Sequence, residues 1–155
     1  MIAAGIRCTP HKVFYTIIEL NEDNSFSLVN QELIIPKSFD VPNKLKYVRK
    51  TLLDIFKEYN VVRAGIRITE NNAQSPDLFR IMLEAVIQEL IASSNVEFYF
   101  TGVKGSIASK LGIGNDGAIA LFIDGSQDFN NITNWKSLST EHRESILVGF
   151  ASITL

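Results

Sequence analysis

The sequence predicts an α/β domain built on a mixed five-stranded sheet, three antiparallel strands followed by two parallel ones, flanked by helices. Two patterns carry this. Residues 2–35 hold three runs rich in β-branched and aromatic residues, separated by short polar turns, as in a meander. Residues 43–101 then alternate helical and strand periodicity, the mark of crossover connections. The totals agree with one domain over 1–155: 155 residues, 46% hydrophobic and 21% charged.

The first strand is expected over residues 2–8, small and apolar up to Arg7 and Cys8. Thr9-Pro10-His11-Lys12 is a turn, because Pro10 fixes φ. Val13–Leu20 is the second strand and Asn21–Ser25 the second turn. The third strand runs from about Phe26 to Ile35 and stops at Pro36, which has no N–H for a ladder. Leu45, Val48, Leu52, Leu53, Ile55, Phe56 and Tyr59 recur at three- and four-residue steps, an amphipathic helix from Asn43 or Lys44 to Tyr59. A central strand over 61–69 follows, then the polar loop Glu70–Gln74. A helix over 75–92 is expected to open at Gln74 or Ser75 with Pro76 at its first position, where a missing N–H costs nothing. Val96–Thr101 is the fifth strand, parallel to the fourth, with Tyr99 alone facing outward. A short helix ends near Leu111, and Gly112–Gly117 is a flexible break. Ala118–Ile123 reads equally as helix or strand, and 124–136 is irregular with Trp135 as its one large anchor. Ser139 or Thr140 caps a last helix with Ile146, Leu147, Phe150, Ala151 and Ile153 inward.

A net charge of −2 is not the footprint of a strong, nonspecific polyanion binder, although it leaves room for a local basic face. Cys8 is the single cysteine, so no internal disulfide exists and a reducing compartment fits. No apolar run reaches membrane-spanning length. The N-terminal residues do not read as a signal peptide, and the cytoplasm is the expected location.

Several motifs are weak in context. Cys8 and His11 lack the further ligands a structural metal site needs. Gly102-Val103-Lys104-Gly105-Ser106 has the wrong order for a phosphate-binding loop, and Gly112-x-Gly114-x-x-Gly117 follows a helix rather than a first strand. Lys44, Lys46, Arg49, Lys50 and Lys57 lie off the apolar stripe of their helix and read as a solvated face before a phosphate-contacting one.

The element order is that of the ribonuclease H-like fold, and the chain resembles the Holliday-junction resolvases of the RuvC type nearly throughout. Ile2–Arg7 resembles the family strand ending in Gly-Ile-Asp, and Ala64-Gly65-Ile66-Arg67 the strand ending in glutamate. Asn72-Ala73-Gln74-Ser75 resembles the family's Asn-Ala-x-Ser at a helix start. Val103–Ser106 with Lys110-Leu111-Gly112 resembles the next strand-to-helix step, and Glu144–Ala151 the last helix. The resemblance implies two magnesium or manganese ions held by carboxylates from the first strand, the fourth strand and the last helix. Two cations about 3.5–4 Å apart stabilise the attacking and leaving oxygens of a phosphodiester.

At the matching positions this chain has Arg7 and Arg67, which have no acceptor and stay protonated. Glu141 and Glu144, one turn apart, remain near the last-helix position and are candidate partners for these arginines. Three functions follow. A catalytically inactive module, with no metal, would use Arg7, Arg67, Lys104 and Lys110 to bind nucleic acid or work beside a nucleic-acid-processing protein. An active nuclease would rebuild a magnesium or manganese site from Glu70, Glu141 and Glu144. A protein–protein scaffold, a homodimer through helix 75–92, needs neither. Surface arginines paired with Glu141, Glu144 and backbone carbonyls are the structural alternative to an anion site.

Overall fold

The computed structural model describes residues 1–154. Leu155, the last residue of the expected domain, lies outside them. Three strands, β1 (Ile2–Cys8), β2 (Lys12–Leu20) and β3 (Phe26–Ile34), form an antiparallel meander. Helix α1 (Val41–Tyr59) leads to β4 (Arg63–Arg67), and α2 (Leu78–Ala92) to β5 (Phe98–Gly102). Helices α3 (Lys104–Lys110), α4 (Asp116–Ile123) and α5 (Thr140–Ile153) complete the described chain, with a 3-10 turn at Trp135–Ser137. The sheet order is β3-β2-β1-β4-β5. β1 and β4 are parallel neighbours in a register that sets Arg7 beside Arg67, and β4 and β5 are parallel. This is the expected mixed five-stranded sheet flanked by helices.

Side-chain alternation sorts the core into two layers. Ala4, Ile6, Cys8, Val13, Ile17, Ala64 and Ile66 face α1 and α2, whose Val48, Leu52, Phe56, Leu83, Ile87, Leu90 and Ile91 are buried against them. The opposite face carries α5, with Ile146, Leu147, Val148, Phe150 and Ala151 packed among Ile107, Ile119, Phe129 and Trp135. α5 reaches the sheet backbone through a glycine seam. A Cβ on Gly5 would overlap the Ser145 carbonyl oxygen, and one on Gly65 the Val148 carbonyl oxygen. Only glycine permits that approach.

Several boundaries differ from the sequence expectation. α1 begins at Val41, because the Asp40 carboxylate accepts the Asn43 N–H and caps the helix with Pro42 in its first turn. α2 begins at Leu78, not at Pro76, because Asp77 is the residue that caps it, accepting the Arg80 N–H. Val61 and Val62 leave the strand because Asn60 turns left-handed (φ 53°) and the Val61 N–H closes α1 onto the Phe56 carbonyl. β5 starts two residues late, and Phe98 is 48% exposed like its neighbour Tyr99, because β5 is an edge strand. The Arg63 guanidinium covers the Phe98 ring at 4.7 Å. The ambiguous stretch 118–123 is helical, capped by Asn115.

Candidate functional site

The parallel strands β1 and β4 end side by side, the edge of an α/β sheet where functional groups gather. Arg7 and Arg67 close these strands and point to the α5 face, in step with Gly5 and Gly65. The glycine seam lowers α5 onto the sheet and sets Glu144, in the second turn of that helix, between the two guanidiniums. Arg7 Nε donates to Glu144 Oε2 at 2.5 Å, and Arg67 Nε donates to Glu144 Oε1 at 3.2 Å. Both oxygens of one carboxylate are thus engaged by cations from two strands.

The pairing continues outward. Arg67 Nη2 donates to Glu70 Oε1 at 2.7 Å, and the Lys104 backbone N–H donates to the same oxygen at 3.0 Å, tying the start of α3 to the end of β4. Arg7 Nη1 donates to the Cys8 carbonyl and Arg67 Nη1 to the Ile68 carbonyl. Across the strand end, Glu84 of α2 is buried, accepting from the Thr69 N–H and hydroxyl at 3.0 Å and from Arg80 Nε at 2.8 Å. The cluster therefore holds Arg7, Arg67 and Arg80 against Glu70, Glu84 and Glu144. Formal charges balance, as burial demands.

The arginines are not surface residues: the Arg67 side chain is 4% exposed and that of Arg7 12%. Burial follows from their inward pleat position under α5. Glu141, one turn before Glu144, makes no ion pair among the described residues and lies beside His142 instead, so the structure does not bring it into a carboxylate trio with Glu70 and Glu144. Lys110 sits away from the knot with its ammonium 5.5 Å from the Phe100 ring centre. Lys104 joins through its backbone N–H. The α1 cations are partly engaged: Arg49 pairs with Glu89, Lys50 with Asp54, and Lys44 lies over Phe79.

Cys8 is fully buried, and burial first, then the nearby Glu84 charge, push its thiol up to about 12. It is no nucleophile at neutral pH. His11 bonds through its backbone N–H to the Thr9 hydroxyl. No group of three or more His, Cys, Asp or Glu among the described residues is arranged to hold a metal ion. No helix among them is long and apolar enough to cross a membrane. Arg80 and Glu84 escaped sequence reasoning, since both look like ordinary polar positions of a helix. Their i, i+4 spacing in the helix that follows β4 was the available signal.

No protein-family model matches the chain, and no curated protein matches it in sequence. Solved structures do match in architecture. RuvC of Thermus thermophilus superposes with a TM-score of 0.73 at 8% identity, covering 99% of this chain and 94% of its own. The yeast mitochondrial Holliday junction resolvase Ydc2 gives 0.56 at 13% identity, covering 97% and 77%. The fowlpox virus resolvase in complex with Holliday junction DNA gives 0.54 at 16% identity, covering 97% and 95%. The chain has the ribonuclease H-like fold, in the arrangement shared by RuvC and other Holliday junction resolvases.

Proposed function

We propose that this chain is a catalytically inactive relative of the RuvC-type nucleases that works by binding, as an accessory module in a nucleic-acid-related process in the cytoplasm. One observation carries the reading: both oxygens of Glu144 accept guanidinium N–H groups from Arg7 and Arg67, at the ends of the paired strands. A pair of divalent cations needs several free carboxylate oxygens, and magnesium takes hard oxygen ligands. The donor set here does not fit them. Glu70 Oε1 is engaged twice by N–H donors, and a cation placed in the cluster would meet three guanidiniums. The nucleic-acid connection draws on architecture, since RuvC and the fowlpox resolvase have been solved with Holliday junctions.

The test incubates the full chain with four-way junction and single-stranded DNA in magnesium or manganese. The expected result is a mobility shift at low salt with no strand cleavage. Cleavage that needs the metal and disappears in Glu144→Ala would overturn the inactive assignment in favour of a nuclease using Glu70 and Glu144.

A homodimer is part of the same proposal. Leu78, Ile81, Met82 and Ala85 recur at helical spacing on the outer face of α2, with Leu78 71% exposed and Met82 45%. This stripe is the surface through which the proposed dimer would pair. Light scattering should give twice the monomer mass, reduced to the monomer by Met82→Lys. A monomeric wild-type protein would remove the dimer and leave the inactive-module assignment standing.

A further inference from the structure

A cavity of about 450 Å³ opens at the end of the sheet opposite the arginine cluster, where β4 and β5 begin. That volume is in the range of small-molecule sites. Its walls are the last turns of α1 with residues 60–62, and the 93–97 connection that leaves α2. Backbone bonds prop both walls. Asn60 is left-handed, and the Val61 N–H donates to the Phe56 carbonyl at 2.9 Å. The Ser94 hydroxyl donates to the Ile91 carbonyl at 2.7 Å and accepts the Val96 N–H at 3.2 Å. The Glu97 N–H donates to the Val62 carbonyl at 2.9 Å and joins the two walls. The cavity is therefore formed in advance, which spares a ligand the cost of ordering it.

The lining is divided in character. Leu53, Phe56 and Val61 supply the apolar part, with Phe56 only 3% and Val61 2% exposed. Lys57 comes from one wall and Glu97 from the other, and both are exposed. Neither side chain makes a hydrogen bond or an ion pair among the described residues, with the other or with any neighbour. Two opposite charges of one cavity, held apart, can each take a counter-charge of a single ligand. Lys57 stands in the last turn of α1, whereas the last turn of α2 has no basic residue. The carbonyl end of α2 thus adds negative potential on the Glu97 side. One wall favours a carboxylate and the other an ammonium.

We infer that this cavity binds a small zwitterion with an apolar body, a free amino acid or a short peptide. Its carboxylate meets Lys57, its ammonium meets Glu97, and its apolar part lies against Leu53, Phe56 and Val61. The site is separate from the arginine cluster and stands whatever that cluster does.

The experiment is isothermal titration calorimetry of the full chain with L-leucine and with the dipeptide Leu-Leu. Leucinamide, which lacks the carboxylate, and isocaproate, which lacks the ammonium, are titrated beside them. At least one zwitterion should bind, and each single-charge analogue should bind about tenfold more weakly, having lost one charge-assisted contact. Lys57→Gln should weaken the zwitterion about tenfold and leave leucinamide unchanged. Glu97→Gln should weaken it to a similar extent and leave isocaproate unchanged. Lys46→Gln, on α1 but outside the cavity, should bind like wild type. Tighter binding of leucine assigns a free amino acid, and tighter binding of the dipeptide assigns a peptide. Binding of neither zwitterion overturns the proposal. So does affinity that the two cavity variants leave intact, or that the single-charge analogues match.

Discussion

Arg143 and Glu144 are consecutive residues of α5, both buried, and they face two regions that satisfy buried charge by different means. Glu144 looks to the sheet edge, where charge meets charge: its partners lie 137 and 77 positions away in sequence. Arg143 looks to the irregular segment 124–138 and meets backbone. Its Nε donates to the Ile123 carbonyl at 2.7 Å, and Nη1 reaches the carbonyls of Leu138 at 2.5 Å and Trp135 at 3.3 Å. The end of α4 and the loop and 3-10 turn that follow it leave carbonyls that need donors, and one arginine fork supplies several. The Trp135 indole does likewise for the Phe122 carbonyl at 2.9 Å. The difference teaches that a buried cation here is either one member of a charge network or a local substitute for secondary structure, and the two should fail differently.

The largest effect should come from removing what both regions share. Gly5→Ala drives a methyl into the Ser145 carbonyl and lifts α5 off the sheet, taking Arg143 and Glu144 with it. We expect a loss of about 4 kcal/mol or more in urea denaturation, or failure to fold. A fully stable Gly5→Ala protein would mean that the seam does not set either region.

Glu144→Ala should break the charged region alone, leaving Arg7 buried without its carboxylate and Arg67 with Glu70 alone, at a cost of about 3–5 kcal/mol. The triple replacement Arg7→Met, Arg67→Met, Glu144→Leu should recover most of that loss, because it removes the desolvated charges together. If the triple variant is as unstable as Glu144→Ala, packing and not charge holds the strand ends.

Arg143→Met should cost less, about 2–3 kcal/mol for carbonyls left without donors. Its signature is local: faster proteolysis within 124–138, with the Glu144 network unchanged. Uniform destabilisation without new cleavage in that segment would erase the distinction between the regions.

The smallest effect at neutral pH belongs to Cys8. Its folded pKa is raised from 9.0 to about 12, so the unfolded chain releases the thiol proton first. Stability is complete below pH 9 and falls as pH rises from there toward 12. Cys8→Ala should flatten that alkaline limb, read from urea midpoints between pH 8 and roughly 11. The native thiol should also stay unreactive toward a disulfide reagent at pH 8.

Much of the framework was legible in the sequence because it is written in local periods. Apolar, β-branched and aromatic runs between short polar turns marked β1 to β3, and the three- and four-residue recurrence of Val48, Leu52 and Phe56 marked α1. Helix starts were less legible: Pro42 and Pro76 drew the boundaries inward or outward, while Asp40 and Asp77 made the capping bonds. For 118–123, an apolar run of six residues satisfies both periods, and the Asn115 cap decides for helix. The stretch 124–138 has no period, and its order depends on Arg143, Trp135 and the left-handed Asn130, Asn131 and Asn134.

By itself, the sequence determined the element order, the mixed sheet and the presence of arginine at the ends of β1 and β4, since each follows from residue type and short-range spacing. Tertiary structure alone decided that Glu144 and not Glu141 lies between those arginines, that the arginines are buried, and that Arg80 and Glu84 approach from the other side of the sheet. The reason is geometric: which side chains converge depends on how deeply α5 seats on Gly5 and Gly65 and on its rotation there. Contacts between residues more than seventy positions apart leave no trace in any local period.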